Sequence, residues 1–283
     1  MIEINSDISK GLEELRIRKP LIHNITNYVV MNFTANVLLS LGASPVMAHA
    51  EEEIEEMAGI ASALVLNIGT LSDPWIRSMY KAGETASRRG IPIVLDPVGA
   101  GATRLRTETA TGLVTSVRPV VVRGNASEIL SLGVEGGSTK GVDSTRSVDD
   151  AVTFSQSFSR KNDCVTAITG PRDFITNGKR SFTVSNGHAL LGMVTGTGCA
   201  ATAVIAAFCS VMPDPLMGTV AGLTVFGIAG ELAAQSASRP GSYKIALIDA
   251  LNEIEGAHID SMARIEEIGV SACTGRYIIQ STW

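Results

Sequence analysis

The fold of this chain is decided by the stretch Thr195-Gly196-Thr197-Gly198-Cys199 and the alanine-rich run of residues 200–212 that follows it. The small residues of the stretch allow a backbone turn to come close to a ligand. The run contains no charged residue, which predicts a buried helix. Because no acidic residue lies in its first turn, the free N–H groups and the positive dipole end can receive an anion such as phosphate. A glycine turn before an ordinary core helix would give the same residues, so the rest of the chain must decide.

The composition predicts a large globular protein without a nucleic-acid or membrane partner. The chain has 283 residues, enough for one large α/β domain or two ordinary ones. Hydrophobic residues make up 45% and charged residues 18%, which indicates a sizeable core. The net charge of −5 argues against binding to nucleic acid or anionic membranes. Since no repeat, low-complexity segment or linker interrupts the chain, we expect a single domain over residues 1–283.

The termini and the hydrophobic segments predict a cytoplasmic protein. Charged residues from Glu3 onward interrupt any signal-peptide pattern at the N terminus. The most hydrophobic region, residues 200–234, is divided by the Pro-Asp-Pro of residues 213–215 into pieces shorter than a bilayer span. The four cysteines have no CxxC spacing, which argues against structural zinc and against a disulfide framework.

Buried apolar runs alternate with helical patterns along the first two thirds of the chain. This alternation predicts a mostly parallel sheet with helices on both faces. The predicted strands are residues 20–27, 44–48, 63–69, 91–96, 120–123 and 164–169, and residues 172–184 predict a hairpin around Asn177-Gly178. The main predicted helices are residues 2–18, 73–89, 147–161, 199–212, 215–234 and 242–260. Another helix ends at Gly42, with Thr26 or Asn27 as its natural N-cap. The tail after Asp260 has no recognisable motif.

Polar and glycine residues end several of these strands. In open parallel sheets, ligands bind beyond the carboxyl ends of the strands. The residues at these ends are His23, Asn24, Asn27, Asn67, Gly69, Asp96, Gly99, Gly101, Arg123, Asn125, Glu128, Thr169 and Gly170. Together they offer carboxylates for a hard cation, an arginine for phosphate and a glycine-lined anion cradle. Phosphoryl transfer needs these groups, since its catalysis is mainly positioning and charge neutralisation.

Each of these side chains also has a simpler interpretation. Asp96 before Pro97 is typical of a turn. Glu128 suits the first turn of a helix that begins at Ala126, and Arg123 can pair with a surface carboxylate. The simpler interpretation is the better one for any residue alone, whereas their coincidence at one edge of the sheet favours a site.

Other phosphate and catalytic motifs are missing. The chain has no Walker A pattern, no nucleophile elbow and no HExxH. The short Gly99-Ala-Gly101 lacks the third glycine of a dinucleotide fingerprint and lies well inside the chain. A dehydrogenase is therefore only weakly supported, and a titration with a nicotinamide cofactor would test it.

With these residues in view, the sequence resembles the hydroxyethylthiazole kinase family of the ribokinase-like superfamily. The matching stretches are HNITNYVVMNFTANVLLSLGASPVMAHAEEE, NIGTL, VLDPVGAGATRLR, RGNASEI, ITG and VTGTGCAATA, and they extend from Pro20 to about Gly230. The resemblance implies a ribokinase-like α/β fold and ATP-dependent phosphorylation of the primary hydroxyl of 4-methyl-5-(2-hydroxyethyl)thiazole, in thiamine biosynthesis or salvage. It also implies a magnesium ion (Mg²⁺) and a homotrimer with active sites between neighbouring subunits.

The resemblance assigns roles to individual positions. Thiazole-binding positions are Asn27 and Met47, with Gly196 against the substrate. ATP-binding positions are Arg123 and Thr169. Asp96 and Glu128 match the acidic residues associated with magnesium and phosphates, and Asn125 and Glu128 complete the NxxE pattern of the superfamily. The anion hole is formed by Gly196, Thr197, Gly198 and Cys199.

Cys199 occupies the position where many kinases of the superfamily carry an aspartate base. A helix N terminus lowers the pKa of a thiol, so some thiolate is expected there, although nearby phosphates would oppose it. Cys199 is therefore a candidate catalytic base.

Two further interpretations remain open. One is a sister kinase that acts on hydroxymethylpyrimidine or another small alcohol, although Asn27 and Met47 favour thiazole. The other is a non-catalytic nucleotide or thiazole sensor on the same fold, which the joint presence of Asp96, Glu128 and Cys199 disfavours. Turnover of ATP with a panel of alcohols would distinguish them.

Overall fold

The computed structural model describes residues 2–133 and 148–269 of the chain. The glycine-rich segment of residues 136–141 and the tail of residues 271–283 lie outside the described residues. The expectation of one domain over residues 1–283 therefore stays a prediction.

Nine strands form one sheet in the described part of the chain. The strands are β1 (Leu21–Ile25), β2 (Ser44–Val46), β3 (Ala63–Asn67), β4 (Ile93–Asp96), β5 (Val121–Gly124), β6 (Val165–Ile168), β7 (Asp173–Thr176), β8 (Ser181–Val184) and β9 (Ile265–Ile268). Their order across the sheet is β2-β1-β3-β4-β5-β6-β7-β8-β9. The pairs from β2 to β6 are parallel, and those from β6 to β9 are antiparallel. The predicted mostly parallel sheet and its hairpin are confirmed.

Helices cover both faces of this sheet. They are α1 (Ile2–Arg18), α2 (Met31–Leu41), α3 (Ile54–Ile60), α4 (Asp73–Arg89), α5 (Arg104–Val117), α6 (Ala126–Ser131), α7 (Val148–Asn162), α8 (Thr197–Cys209), α9 (Pro215–Ser236), α10 (Pro240–Glu253) and α11 (Gly256–Met262), with a 3-10 turn at Ala189–Met193. Helices α1, α2 and α8 to α11 share one hydrophobic core, the α8-side core. Helices α3 to α7 share a second one, the α4-side core.

The continuous apolar runs arise because both faces of the central strands are covered. In β3, Ala63 and Val65 belong to the α8-side core, whereas Leu64 and Leu66 belong to the α4-side core. Successive side chains point to opposite faces of a strand, so each face receives every second residue. Full burial of one leucine or valine side chain is worth about 1.5–3 kcal/mol. A charged residue on either face of β3 would therefore destabilise the folded protein.

The predicted N-cap of α2 is wrong. The helix begins at Met31, and the residue at the cap position, Val30, makes no side-chain cap hydrogen bond. The Asn27 Oδ1 instead accepts a hydrogen bond from the Val29 N–H at 3.1 Å, which stabilises a turn before the helix. The other end was predicted correctly, since Gly42 closes α2 with a left-handed φ of 110°.

The region after α9 differs from the sequence prediction in two ways. Residues 242–260 form two helices, because Ile254 is extended and Glu255 starts α11 with a reciprocal capping box to His258. Strand β9 was not predicted, since its Ile-Glu-Glu-Ile sequence is short and half charged. Helix α5 was also not predicted. It contains four threonines (Thr107, Thr109, Thr111 and Thr115), and threonine is a weak helix former.

Helix α9 overturns the expectation about membrane-spanning length. Its 22 residues are long and apolar enough to cross a bilayer, and it is the one such helix in the described residues. Of its most apolar window, 83% is buried inside the protein. Its Gly222 approaches α8 so closely that an added Cβ would lie 2.9 Å from the Ile205 Cα. Helix α9 therefore packs as a core helix.

Candidate active site

The residues predicted at the strand ends lie along one edge of the sheet. Asn67 and Asp96 are the last residues of the parallel strands β3 and β4, and they are paired in register. Arg123 lies near the end of β5, and Thr169 follows β6 directly. Because parallel strands end at the same edge, these side chains come together in front of the N terminus of α8.

Asp96 is the buried centre of this edge. Its Oδ2 accepts hydrogen bonds of 2.9 Å from the Asn67 Nδ2 and from the Thr202 Oγ1. The Arg123 Nη1 lies 3.8 Å from the same oxygen. The Asp96 Oδ1 is buried and has no hydrogen-bond partner among the described residues. Burial raises the pKa of Asp96 to about 6, against the opposing effect of the Arg123 charge. The carboxyl is thus held firmly through one oxygen while the other remains available.

Asn27 connects Asp96 to Cys199 through Asn67. The Asn27 Nδ2 donates to the Asn67 Oδ1 at 2.9 Å and lies 3.5 Å from the Cys199 Sγ. The Asn67 Oδ1 also accepts from the Gly69 N–H at 3.0 Å. This network orients the amide of Asn27 and the thiol of Cys199 within the same buried cluster.

The thiol of Cys199 does not have the lowered pKa expected from its place in the first turn of α8. Burial raises the pKa of Cys199 to about 11, the nearby Asp96 carboxylate raises it as well, and Asn67, Arg123 and Asn27 oppose this shift. The desolvation cost of a thiolate here exceeds the effect of the helix end. The neutral thiol is therefore the prevailing form at pH 7.

The N terminus of α8 is open to an anion. Its N-cap, Gly196, has φ +94° and no side-chain acceptor, and an added Cβ would lie 2.7 Å from the Val30 Cγ1. Only glycine fits this backbone conformation and this close approach. The Thr197 hydroxyl donates to the Leu191 carbonyl at 2.8 Å and so does not cap the helix N–H groups. The Thr197 N–H donates to the Val194 carbonyl at 3.4 Å, and the N–H groups of Gly198 and Cys199 keep their capacity to bind a ligand.

The guanidinium of Arg123 faces the same helix end. An added Cβ at Gly198 would lie 2.8 Å from the Arg123 Nη1. The Arg123 Nη2 donates to the Thr169 Oγ1 at 2.5 Å, while the buried Nε has no partner in the part of the chain that the structure describes. A cation next to a positive helix end is unfavourable unless an anion lies between them. This juxtaposition indicates a phosphate site.

Glu128 is a structural residue as well as a candidate ligand. One carboxylate oxygen accepts from the Asn125 N–H and the other from the Gly99 N–H, both at 2.8 Å. The Asn125 side chain accepts from the Glu128 N–H at 2.9 Å, which completes a capping box for α6. The simpler interpretation of Glu128 as a first-turn acid therefore holds, and the residue also fixes the loop after β4.

The carboxylates alone do not make a complete metal cage. Among residues 2–133 and 148–269, no cluster of three or more His, Cys, Asp or Glu residues could hold a metal. Asp96 and Glu128 could supply part of a coordination sphere, with the remainder from water and phosphate oxygens. A coordination sphere in which the protein supplies only one or two ligands is typical of magnesium in nucleotide sites.

A cavity of about 520 Å³ opens beside the N terminus of α8. Its polar lining includes Arg123, Thr169 and Gly198, and its apolar lining includes Leu191, Leu223 and Phe226. Its size and mixed lining suit a small ligand with a charged end and an apolar end. The lining does not include Asn27, Met47 or Cys199. The two sets of predicted positions therefore lie on different sides of the α8 N terminus.

Met47 is placed less closely than the other predicted residues. It follows β2 directly, at the same edge as Asn27, and its side chain is partly buried. Its carbonyl lies 3.4 Å from the His49 Nδ1. The network around Asp96 does not include its side chain.

Sequence reasoning missed two polar residues of the site. Thr202 lies inside α8, and its only signal was a hydroxyl in an otherwise apolar helix face. Asp173, the first residue of β7, lines the cavity and accepts from the Gly170 N–H at 3.0 Å. Burial raises the pKa of Asp173 to about 7, and the Gly170 N–H and Arg123 oppose this shift.

Comparison with known proteins places the chain among thiazole kinases. A model of the hydroxyethylthiazole kinase family matches residues 12–256. The hydroxyethylthiazole kinase of Desulfotalea psychrophila is 51% identical over 267 residues, which cover 94% of this chain and 98% of that protein. A solved structure of the hydroxyethylthiazole kinase from Pyrococcus horikoshii OT3 has a TM-score of 0.86 and 47% identity, with 93% of this chain and 99% of that chain covered.

A more distant solved structure supports the superfamily fold. The pyridoxal kinase from Staphylococcus aureus, in complex with AMP-PCP and pyridoxal, has a TM-score of 0.61 and 15% identity. The match covers 89% of this chain and 99% of the pyridoxal kinase chain. At this identity the likeness concerns the fold alone, and it confirms the ribokinase-like architecture.

Proposed function

This chain belongs to the hydroxyethylthiazole kinase family, and from that premise we propose how its site phosphorylates 4-methyl-5-(2-hydroxyethyl)thiazole in thiamine biosynthesis or salvage. The γ-phosphoryl group of ATP passes to the primary hydroxyl of the thiazole alcohol. The observation that carries the proposal is the N terminus of α8, which has Arg123 on its cavity side and Cys199 with Asn27 on the other. A phosphoryl group bound at this helix end lies between a nucleotide pocket and an alcohol pocket.

ATP occupies the cavity in this proposal. Its phosphates lie against Arg123, Thr169 and the backbone N–H groups of residues 196–199, the anion hole. Its base lies against the apolar lining formed by Leu191, Leu223 and Phe226. The unpartnered Nε of Arg123 supports this placement, because a buried donor needs an acceptor.

The thiazole alcohol lies on the Asn27 side. Asn27, Met47 and Gly196 form its binding surface, and the fixed amide of Asn27 orients the ring. Gly196 leaves room for the substrate, because its backbone conformation excludes a side chain.

Asp96 and Glu128 fit a magnesium ion as protein ligands. The unpartnered Oδ1 of Asp96 supports this assignment, since a buried carboxylate oxygen without a donor suits a cation. A bound magnesium ion would neutralise phosphate charge as the phosphoryl group leaves ATP. Arg123, 3.8 Å from the Asp96 Oδ2, keeps this carboxylate charged and in place.

Cys199 is the candidate general base, but charge neutralisation contributes more to the rate than proton removal does. The raised pKa of Cys199 disfavours a preformed thiolate. A loose phosphoryl-transfer transition state leaves the attacking alcohol little changed until late, so the proton needs an acceptor only late in the step. In its minor thiolate form, Cys199 receives the proton of the hydroxyl at that stage and becomes a thiol. In its prevailing neutral form it only positions the hydroxyl, and the proton leaves on an oxygen of the transferred phosphoryl group.

The working protein is a cytoplasmic homotrimer with active sites between neighbouring subunits. Exposed apolar side chains beside Asn27 support a subunit contact here. Tyr28 is 64% exposed and Val29 is 67% exposed, although both lie next to buried site residues. A second subunit over this surface would remove apolar area from water and close the thiazole side of the site.

A coupled ATPase assay tests the proposal. The purified protein is incubated with ATP, magnesium and one of three alcohols: the thiazole alcohol, hydroxymethylpyrimidine or pyridoxal. We expect turnover with the thiazole alcohol and a kcat/KM at least about a hundredfold lower with the other two, because each alcohol pocket matches one ring. A preference for pyrimidine would indicate the sister kinase, and binding without turnover would indicate a sensor.

A further inference from the structure

A charged cluster on the far side of the cavity has no role in the site described so far. Glu231 is the only charged residue among the 22 of α9, and its side chain is only 15% exposed. Burying one carboxylate in an otherwise uncharged core helix is costly unless it is well paired. The partners of Glu231 therefore show what the charge is for.

The partners of Glu231 belong to the wall of the cavity. Its Oε1 accepts from the Gly187 N–H at 2.7 Å and from the Asn186 Nδ2 at 3.1 Å. Asn186 and Gly187 both line the cavity, as does Gly227, one helical turn before Glu231. Asn186 is packed so closely on α9 that a Cβ at Gly227 would lie 2.7 Å from its atoms. Glu231 therefore fixes the distance between the residues after β8 and α9.

Arg264 completes this arrangement from the start of β9. Its guanidinium contacts both carboxylate oxygens of Glu231 and donates to the Ser185 carbonyl at 2.8 Å. Its backbone N–H donates to the Asn186 Oδ1 at 2.8 Å. Bidentate arginine–carboxylate contacts fix the relative orientation of the two side chains in addition to pairing their charges. Segment 185–187 is thus held on one side by α9 and on the other by Arg264.

We infer that Glu231 and Arg264 are positioning residues that set the nucleotide affinity of the cavity without touching the nucleotide. This inference rests on the proposed function, which places ATP in this cavity. Loss of the pair lets segment 185–187 move away from α9, which widens the wall formed by Asn186 and Gly187. The thiazole side contains none of these residues, so its affinity stays the same.

The test compares two ion pairs at the same end of the sheet. Glu231→Gln removes the charge at the cavity wall. Glu267→Gln removes the charge that pairs with Arg180, and neither Glu267 nor Arg180 lines the cavity. Calorimetry measures the affinity of each protein for ADP and for the thiazole alcohol. We expect Glu231→Gln to weaken ADP binding about five- to twentyfold, since hydrogen bonds to charged groups are the stronger ones. Thiazole affinity and the Glu267→Gln variant should stay within about twofold of wild type.

A second matched pair of variants keeps the test valid if Glu231→Gln fails to fold. Arg264→Gln and Arg180→Gln each remove one half-exposed guanidinium, from the residue just before β9 and from the residue just before β8. Steady-state kinetics should show a raised KM for ATP in Arg264→Gln, with an unchanged kcat and an unchanged KM for the alcohol. A merely structural role would instead lower the melting temperature or the kcat and leave the KM for ATP unchanged.

The outcomes separate this inference from the function on which it rests. If wild type binds ADP and both cavity-wall variants bind it equally well, the inference is wrong and the proposed function stands. If the variants lose ADP and thiazole affinity equally, the positioning role is also refuted. If wild type itself binds no ADP, the proposed function fails, and the inference fails with it.

Discussion

At the scale of single residues, burial decides what the side chains of this site can do. Cys199 and Asp96 belong to the same hydrogen-bonded cluster, and desolvation raises the pKa of both, to about 11 and to about 6. At pH 7 the pair is therefore mainly a neutral thiol beside a charged carboxylate. Asp96 thus has the charge needed to hold a cation, and Cys199 lacks the charge needed to attract the hydroxyl proton early.

The first prediction concerns the relative weight of Cys199 and Glu128. Cys199→Ser should reduce single-turnover rates by about tenfold, which is below the ~10²–10⁴-fold range typical of a general base. Cys199→Asp should keep or raise activity if the buried cluster accepts a second carboxylate. Glu128→Gln, which retains an acceptor for the α6 capping box, should cost more than Cys199→Ser at saturating magnesium. The idea fails if Cys199→Ser and Cys199→Asp are folded and both as inactive as Glu128→Gln.

The second prediction concerns Asp173 and pH. Its folded-state pKa is raised from 3.8 to about 7, so the folded protein holds this proton more tightly than the unfolded chain does. The stability gained from the proton is present at low pH and is lost as the pH rises through about 7. Asp173→Asn should therefore raise the free energy of unfolding, increasingly from pH 4 to 7 and by on the order of 1–3 kcal/mol at pH 8.

Thermal melts of wild type and Asp173→Asn between pH 5 and pH 8 measure this effect. Asp7→Asn, at a half-exposed carboxylate on α1, is the control and should change little at any pH. A constant difference between the Asp173→Asn and wild-type curves at all pH values would contradict the prediction.

Several of these residues have no sequence signal of their own. The strand-end residues Asn67 and Asp96 were predictable because each follows a fully buried apolar run. Thr202 was not, because its partner Asp96 lies 106 positions away in the chain. Asp173 was not, because its place in the cavity lining depends on the tertiary packing around β7. Asn27 was predicted as a helix cap, and only the tertiary structure shows its amide turned toward Asn67.

At the scale of elements, α8 contributes both to the hydrophobic core and to the candidate site. Its long body packs in the α8-side core, and its first turn presents N–H groups beside Arg123. The body was predictable from its uncharged composition, whereas the orientation of the first turn depends on Gly196 and Gly198. At each glycine a neighbouring side chain, Val30 or Arg123, packs where a Cβ would otherwise lie.

The third prediction tests this close approach. Gly198→Ala places a Cβ 2.8 Å from the Arg123 Nη1, which pushes the guanidinium away from the helix end. We expect ATP affinity to fall about tenfold, because a charge-assisted contact to phosphate is lost. Gly241→Ala is the matched control, since a Cβ there meets no atom within 4 Å. Equilibrium dialysis with ATP measures both variants. Unchanged affinity in Gly198→Ala would show that Arg123 and the helix end do not act on the same phosphate.

Element boundaries after α9 show where local patterns stop being informative. The break between α10 and α11 occurs at Ile254 and Glu255, where the local signals are only Gly256 and a capping box formed by Glu255 and His258. Strand β9 is specified by its pairing with β8 and by ion pairs such as Arg180–Glu267, not by its own hydrophobic pattern. The strand therefore depends on contacts with distant residues.

At the scale of the whole molecule, the described structure leaves the thiazole side of the site open. The cavity beside α8 is lined by residues of one chain, whereas Asn27 lies beside exposed Tyr28 and Val29. These exposed apolar side chains are the basis on which we propose that another subunit covers this surface.

The fourth prediction is that the active protein is a homotrimer whose dissociation abolishes activity. Analytical ultracentrifugation across the concentrations used in the assay should show trimer wherever thiazole turnover is measured. The charge substitution Val29→Asp should shift the mass toward monomer and reduce turnover in parallel, since burying a carboxylate in an apolar contact is costly. A fully active monomer of wild type would contradict this prediction.

The contact between Asn27 and Cys199 also constrains how the chain reaches its native state. It joins residues 172 positions apart, and α8 follows every parallel strand of the sheet in sequence. Closing so long a loop is slow because its entropy is lost before any contact compensates for it. The Asn27–Cys199 contact and the helix end beside Arg123 both require α8 to be docked on the sheet. We therefore expect this edge of the sheet to be completed only after the chain has been made through α8, so that a chain truncated before α8 would lack the proposed phosphate site altogether.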